Sequence, residues 1–230
     1  MPATWRELCL DVVAGSDYRR IGEFWAAATG GHYQAYEKDP TQPGDVVGPP
    51  GVRGGGIALC PVPEPKVVKN RVHLDVHVGA AVELETLGAV VIDDDQPWTV
   101  MQDPAGNELC AFVRDAERMS SLGGYRVYEL VVDAVDAPGM ARWWADRFGV
   151  EARNDGEAWC WLEDVPGMPF EAWVFAPVPE AKAGKNRMHW DVIGDVDDFE
   201  GAGASRLWDM QGWSVLADPE GNEFCVFPPD

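Results

Sequence analysis

Basic residues are scarce. Only 18 Lys and Arg stand against 39 Asp and Glu in 230 residues, a net charge of −21. A surface this acidic repels phosphate backbones and anionic membranes. No basic stripe with interleaved aromatics interrupts it, so nucleic acid and membrane are excluded as partners. Apolar runs are short, and none approaches the ~20 residues that span a bilayer. The opening MPATWRELCLDVV lacks the basic, apolar and small-residue segments of a signal peptide, so none is expected. Cysteines are few and odd in number: Cys9, Cys60, Cys110, Cys160 and Cys225, with no CxxC pair. Free thiols in a reducing compartment follow, and with them a cytoplasmic location. PPGVRGGG (49–56) is followed by no helix start and so is no phosphate loop. What is abundant is apolar content, 46% of the chain, enough for one large core or two small ones.

The chain also repeats itself. VPEPKVVKNRVHLDV (62–76) matches VPEAKAGKNRMHWDV (178–192) without a gap. DPAGNELCAF (103–112) matches DPEGNEFCVF (218–227), and GEFWAAATG (22–30) resembles ARWWADRFG (141–149). Three blocks in one order, at nearly one offset, indicate a duplication. The polar, Gly-rich DAERMSSLGG reads as a linker over 115–124, separating a first domain, 1–114, from a second, 125–230.

Each repeat reads strand, helix, strands, then strand, helix, strands. ELCLDVVA (7–14) is rich in strand formers. Residues 17–30 place Ile21, Phe24, Trp25 and Ala28 at helical spacing before a glycine stop. RVHLDVHV opens the second half as a strand, GAAVELETLGA follows as a short helix, and DPAGN is the turn before the last strand. The fold class is α+β, with two βαβββ modules per repeat.

This layout, with His on the strand that opens the second half and DPxGNE before the last strand, resembles the vicinal oxygen chelate superfamily. That group includes glyoxalase I, extradiol dioxygenases and bleomycin-resistance proteins. The phrases KNRxHxD and DPEGNEFC resemble its glyoxalase-like domain branch. The resemblance implies two tandem domains, each of two modules forming a half-open curved sheet whose concave face holds a ligand or metal. Four metal ligands, one from each of four strands, are implied. Carried across, the first-strand position falls at Cys9 (or Leu10) and at Glu129. The next falls at Cys60 and Ala176, the third at His73 and His189, and the last, normally a Glu, at Cys110 and Cys225. Cys9, Cys60, His73 and Cys110 would suit a closed Cys₃His zinc site, or simply be small buried residues. Glu129, His189 and Cys225 form the lesser set of the second repeat. The twice-missing Glu argues against classical glyoxalase I activity. Glu108 and Glu223 lie two residues earlier.

Alternation along a strand puts His73, Asp75 and His77 on one face and Leu74 and Val76 on the other. His73 and His77 are then about 13 Å apart and cannot share one ion. His73 with Asp75, and His189 with Asp191, are the candidate catalytic pairs. The alternative is structural: hydrogen bonds to a neighbouring strand, with the Asp held by Arg71 or Arg187. Glu64 and Glu180 are candidate partners for the KNR basic groups. Eight of the 11 Trp follow Trp98, and those near Trp159 and Trp161 suit a cup for a planar or aromatic ligand. The candidate ligand-binding set is Trp159, Trp161, Trp173, His189, Asp191 and Cys225.

The expectation is a binder of a small organic molecule, with no cofactor. The alternative is a lyase, isomerase or dioxygenase of the same superfamily that uses a divalent metal. A third reading is a dimerisation module with closed concave faces. The chain would be a monomer with paired domains or a homodimer.

Overall fold

The computed structural model describes residues 1–39, 41–154, 156 and 158–229. Four modules follow one another. The first comprises β1 (Thr4–Val13), α1 (Tyr18–Thr29), β2 (His32–Gln34), β3 (Asp45–Val47) and β4 (Ile57–Val62). The second comprises β5 (Val72–Val78), α2 (Val82–Glu85), β6 (Val90–Asp93), β7 (Thr99–Gln102) and β8 (Glu108–Val113). A short helix, α3 (Ala116–Ser121), lies between the second and third modules. The third module is β9 (Val127–Ala134), α4 (Ala137–Phe148), β10 (Ala152–Asn154), β11 (Cys160–Leu162) and β12 (Ala172–Pro177). The fourth is β13 (Met188–Ile193), α5 (Val196–Gly201), β14 (Ser205–Met210), β15 (Trp213–Ala217) and β16 (Glu223–Phe227).

The helices begin and end where their chemistry directs. Asp17 caps α1 by accepting from the Arg20 N–H, and Asp136 caps α4 from the Gly139 N–H. Gly30 ends α1 with φ +82°, and a Cβ there would lie 1.8 Å from the Gly124 carbonyl oxygen. Only glycine permits that contact between the end of the first helix and the segment after α3. Among the described residues no helix is long and apolar enough to cross a membrane.

The modules form two eight-stranded sheets, and each sheet draws on both repeats. One runs β14-β15-β16-β13-β1-β4-β3-β2, joining the first module to the fourth. The other runs β10-β11-β12-β9-β5-β8-β7-β6, joining the second to the third. The central pairs, β1 with β13 and β5 with β9, are antiparallel; β4 and β12 run parallel to β1 and β9. The two-module curved sheet is therefore present twice, but its halves are exchanged between the sequence repeats.

The KNR motif holds this exchange. Arg71 donates to the Asp133 carbonyl at 2.9 Å, Asp133 N–H donates to the Arg71 carbonyl at 2.7 Å, and Lys69 pairs with the Asp133 carboxylate at 2.6 Å. Arg187 and Lys185 do the same to Asp11, at 2.9, 2.7 and 2.7 Å. Each motif thus grips the first strand of the other repeat. The guanidiniums of Arg71 and Arg187 also reach Glu180 and Glu64, but through backbone carbonyls, at 2.6 and 2.9 Å. Neither arginine holds Asp75 or Asp191, whose neighbours are described below.

The other repeated phrase fastens the turns. Asp103 accepts from Trp25 Nε1 at 2.8 Å and from the Ala105 and Asn107 N–H groups; Asn107 accepts from Asn70, and Glu108 accepts from Lys66 and the Asn70 N–H. Asp218, Trp144, Asn222, Asn186, Glu223 and Lys182 reproduce the network. Glu108 and Glu223 are therefore committed to folding contacts.

The predicted alternation holds. Leu74, Val76, Leu130, Val132, Trp190 and Val192 are fully buried in one apolar cluster, on the faces that carry the helices. Trp144, Trp173 and Trp190 pack at its centre, with ring centroids 4.8–5.4 Å apart.

Candidate functional site

The polar faces turn the other way, and the two sheets differ in what those faces carry. In the sheet of the second and third modules, a cavity of about 1120 Å³ opens over the central strands. Its base contains a small apolar patch of Val131, Ala172, Val174 and Ala176, against which Trp161 leans. Trp98, Phe112, Tyr128 and Trp159 complete the aromatic wall. Trp98 stacks on Phe112 at 5.5 Å, and Tyr128 meets the edge of that ring at 5.2 Å. Tyr128 reaches the cavity because β9 bulges there: Asp75 pairs with Glu129, but Val76 pairs with Val127. The extra residue re-aims its side chain, as bulges do.

Four polar groups gather in the cavity. His73 Nε2 lies 3.4 Å from Asp75 Oδ1, and no hydrogen bond of normal geometry satisfies that oxygen. Ligand atoms of His73, Asp75 and Cys110 all lie within 4.8 Å of one another. Glu129 stands opposite Asp75 across the strand pair. Burial, and then the neighbouring Asp75 charge, push the Glu129 carboxyl up to about 7. Burial and Asp75 likewise push the Cys110 thiol up, which keeps it protonated. His77 shares the face, as expected, but is sequestered under Tyr128 at 4.7 Å. Its Nδ1 accepts from Arg114, and its Nε2 faces Glu171 at 3.2 Å. Burial holds its pKa below the usual imidazole value.

Around this base the cavity is acidic. Asp133, Glu108, Glu163 and Glu171 line it, each offset by a cation: Lys69, Lys66, Arg153 and Arg118 respectively. Asp75 and Glu129 form no ion pair with Lys or Arg among the described residues, and neither does the exposed Asp164 that also lines the cavity.

The matching polar face, in the sheet of the first and fourth modules, is differently furnished. Cys9 pairs in register with His189, and its Sγ lies 3.3 Å from Asp191 Oδ1. Ligand atoms of Cys9, Cys60 and His189 lie within 4.8 Å of one another, as do those of His189, Asp191 and Cys225. Dense protein around the imidazole, and next the Lys185 charge, lower His189 to about 4. Burial raises Asp191 to about 6. β1 carries the matching bulge at Arg6, whose guanidinium sits 4.0 Å above the Phe227 ring.

These placements redistribute the sequence-based sets. Cys9 and Cys60 do not meet His73 and Cys110; they lie on different sheets. Glu129 likewise stands apart from His189 and Cys225, and it corresponds in register to Glu7, not to Cys9. The ligand-binding set divides three ways. Trp159 and Trp161 wall the cavity with His73. His189, Asp191 and Cys225 occupy the other sheet, and Trp173 is fully buried in the core beneath α4. The cause is one fact, the pairing of β1 with β13 and of β5 with β9. Tyr128, Trp98 and Phe112 escaped the sequence reading. Trp98 and Phe112 recur as Trp213 and Phe227, also stacked, at 5.3 Å, and that recurrence is their signal. Nothing in the sequence announces the bulge at Tyr128.

No curated protein matches the chain by sequence. Among solved structures, glyoxalase I from Zea mays is similar with a TM-score of 0.70 at 12% identity, over 98% of this chain and 93% of that one. A dioxygenase candidate from Bacillus subtilis subsp. subtilis str. 168 gives a TM-score of 0.61 at 12% identity, over 98% and 86%. At such identity the likeness concerns the fold alone. The sequence pattern of the glyoxalase-like domain matches residues 7–112 and again 129–227. With both repeats covered and the curved sheets in place, the chain belongs to the glyoxalase-like domain family of the vicinal oxygen chelate superfamily, as a tandem member.

Proposed function

We propose that this protein binds a small planar organic cation in the cavity of the second and third modules. One observation carries the reading. Five aromatic side chains surround a floor on which Asp75 and Glu129 face each other without a compensating Lys or Arg. An amine or other cationic group placed there gains both carboxylates, and a planar ring gains the Trp faces. An anionic ligand would add to the charge already confined. On this reading the arrangement needs no cofactor.

Tryptophan fluorescence tests it, with proflavine as the cationic probe and 1-naphthalenesulfonate as its anionic counterpart. Proflavine is expected to quench emission saturably. Trp161→Ala should weaken that binding about 10-fold, the scale of one lost aromatic stack. Equal affinity for the anion, or indifference to Trp161→Ala, refutes the proposal.

A second reading has its own support in the convergence of His73, Asp75 and Cys110 and in the unsatisfied Asp75 oxygen. Those donors suit a divalent metal, and with it a lyase, isomerase or dioxygenase. Ala176 leaves one of the four strand positions without a donor, and Glu129 is not among the groups that converge, which weakens that fit. Chelator-sensitive turnover would favour it.

A further inference from the structure

The acids at the mouth of the aromatic cavity are not equally engaged. Glu163 accepts from Arg153 and, at 2.8 Å, from Trp161 Nε1, and Glu171 is paired with Arg118. Asp164 also lines the cavity, yet it has no hydrogen-bond or ion-pair partner among the described residues. It is the one described residue other than glycine with a positive φ, at +57°. Asp164 follows β11, which ends at Leu162. Strict alternation would turn it away from the face that Trp161 and Glu163 share. The left-handed backbone breaks that alternation, and Glu163 and Asp164 both line the cavity. Asp and Asn are the side chains that tolerate such a conformation.

Register places this free carboxylate relative to the floor. Glu129 on β9 pairs with Ala172 on β12, and β12 pairs with β11, Trp161 facing Val174 and Leu162 facing Trp173. Asp164 therefore lies two strand spacings from the Glu129 strand, roughly 10 Å, and Asp75 lies one strand farther. Between them β12 offers Ala172 and Val174, part of the apolar patch against which Trp161 packs. The order across the sheet is free acid, apolar shelf, free acid pair. At about 1120 Å³ the cavity exceeds the roughly 300–1,000 Å³ of common small-molecule pockets, so one ligand can reach from the first acid to the last.

Resting on the reading of this cavity as a cation site, we infer that its ligand class is a rod-shaped aromatic dication. One cationic group meets Asp75 and Glu129, a flat ring system lies on the β12 shelf beneath Trp161, and a second cationic group meets Asp164. A monocation leaves one of the two acidic positions unpaired. The ends are unequal. Asp75 is buried, so attraction at the floor is weakly screened; Asp164 is exposed, and water and salt screen it. The floor therefore sets most of the affinity, and the mouth selects for length.

The test uses the full-length chain at pH 8 with chelator present. The probe is DAPI, a flat phenylindole with an amidinium at each end, and its analogue with one amidinium is the reference. In fluorescence titrations DAPI is expected to bind about 5-fold tighter than the monoamidine, the scale of one exposed charge pair. Asp164→Asn keeps the shape and tolerates the left-handed backbone, and it should bring the two probes to equal affinity. Asp164→Gly, which relieves that backbone, should do the same. High salt should shrink the advantage of DAPI in the unsubstituted chain. Trp161→Ala should weaken both probes alike. Equal affinities in the unsubstituted chain, or a DAPI advantage that survives Asp164→Asn, overturn the dication and leave the cation site standing. Binding of neither probe, or binding indifferent to Trp161→Ala, overturns the cation site and the dication with it.

Discussion

Replacing Glu129 by Gln isolates the charge strain in the cavity floor. The Glu129 carboxyl titrates at about 7 in the folded chain against an ordinary 4.5, because it is buried and faces Asp75. The folded state therefore holds this proton more tightly than the unfolded state. Such a group is without cost below pH 4.5, and it destabilises progressively as pH rises through 7. The full displacement would amount to about 3.4 kcal/mol at 1.36 kcal/mol per pH unit. Glu129 is only partly shielded from water, so solvent screening reduces this to about 1–2 kcal/mol. Gln keeps the shape and cannot ionise. At pH 8, chelator-treated Glu129→Gln should melt about 2–8 °C above the unsubstituted chain, at about 2–4 °C per kcal/mol for a chain of this size. At pH 4.5 the two should coincide. Asp191 and Asp218, each raised to about 6, titrate in both proteins and cancel in the difference. A gap that is equal at the two pH values, or reversed at pH 8, would show that Asp75 and Glu129 do not oppose each other as described.

Two further outcomes follow from the packing. Asp103→Ala strands the buried Trp25 N–H and the N–H groups of the 103–107 turn, and should cost about 3 kcal/mol in urea unfolding. Trp25→Phe in that background should add much less than it does alone. Trp173→Ala should cost about 3–5 kcal/mol, because its ring is enclosed in the core. Trp161→Ala should change the unfolding midpoint little and proflavine binding strongly, which separates two residues that the sequence placed in one ligand-binding set.

The elements were legible because they depend on neighbours in the chain. Asp17 and Gly30 mark the ends of α1, and the period-2 alternation of VHLDVHV placed His73 and Asp75 opposite Leu74 and Val76. The duplication was legible for the same reason. Strand partnership was not. His73 and His189 sit in near-identical phrases, and nothing local to either tells whether the adjoining first strand is β1 or β9. That choice rests on Lys69 and Arg71 gripping Asp133, and on Lys185 and Arg187 gripping Asp11, contacts between residues more than 60 positions apart. An error there misassigned whole ligand sets while leaving each side chain on the correct face. Tyr128 was missed because a bulge shifts a side chain by one residue without any mark in composition.

Exchange of halves between the repeats has a consequence for how the two polar faces can diverge. Two free copies of a single repeat, partnered in the same crosswise manner, would build a pair of identical faces, and every substitution would appear in both. Covalent fusion of the copies ends that obligation. Each face here takes its first strand from one copy and its histidine strand from the other. Thiols could therefore accumulate at positions 9 and 60 while Val131 and Ala176 kept the sister cavity roomy.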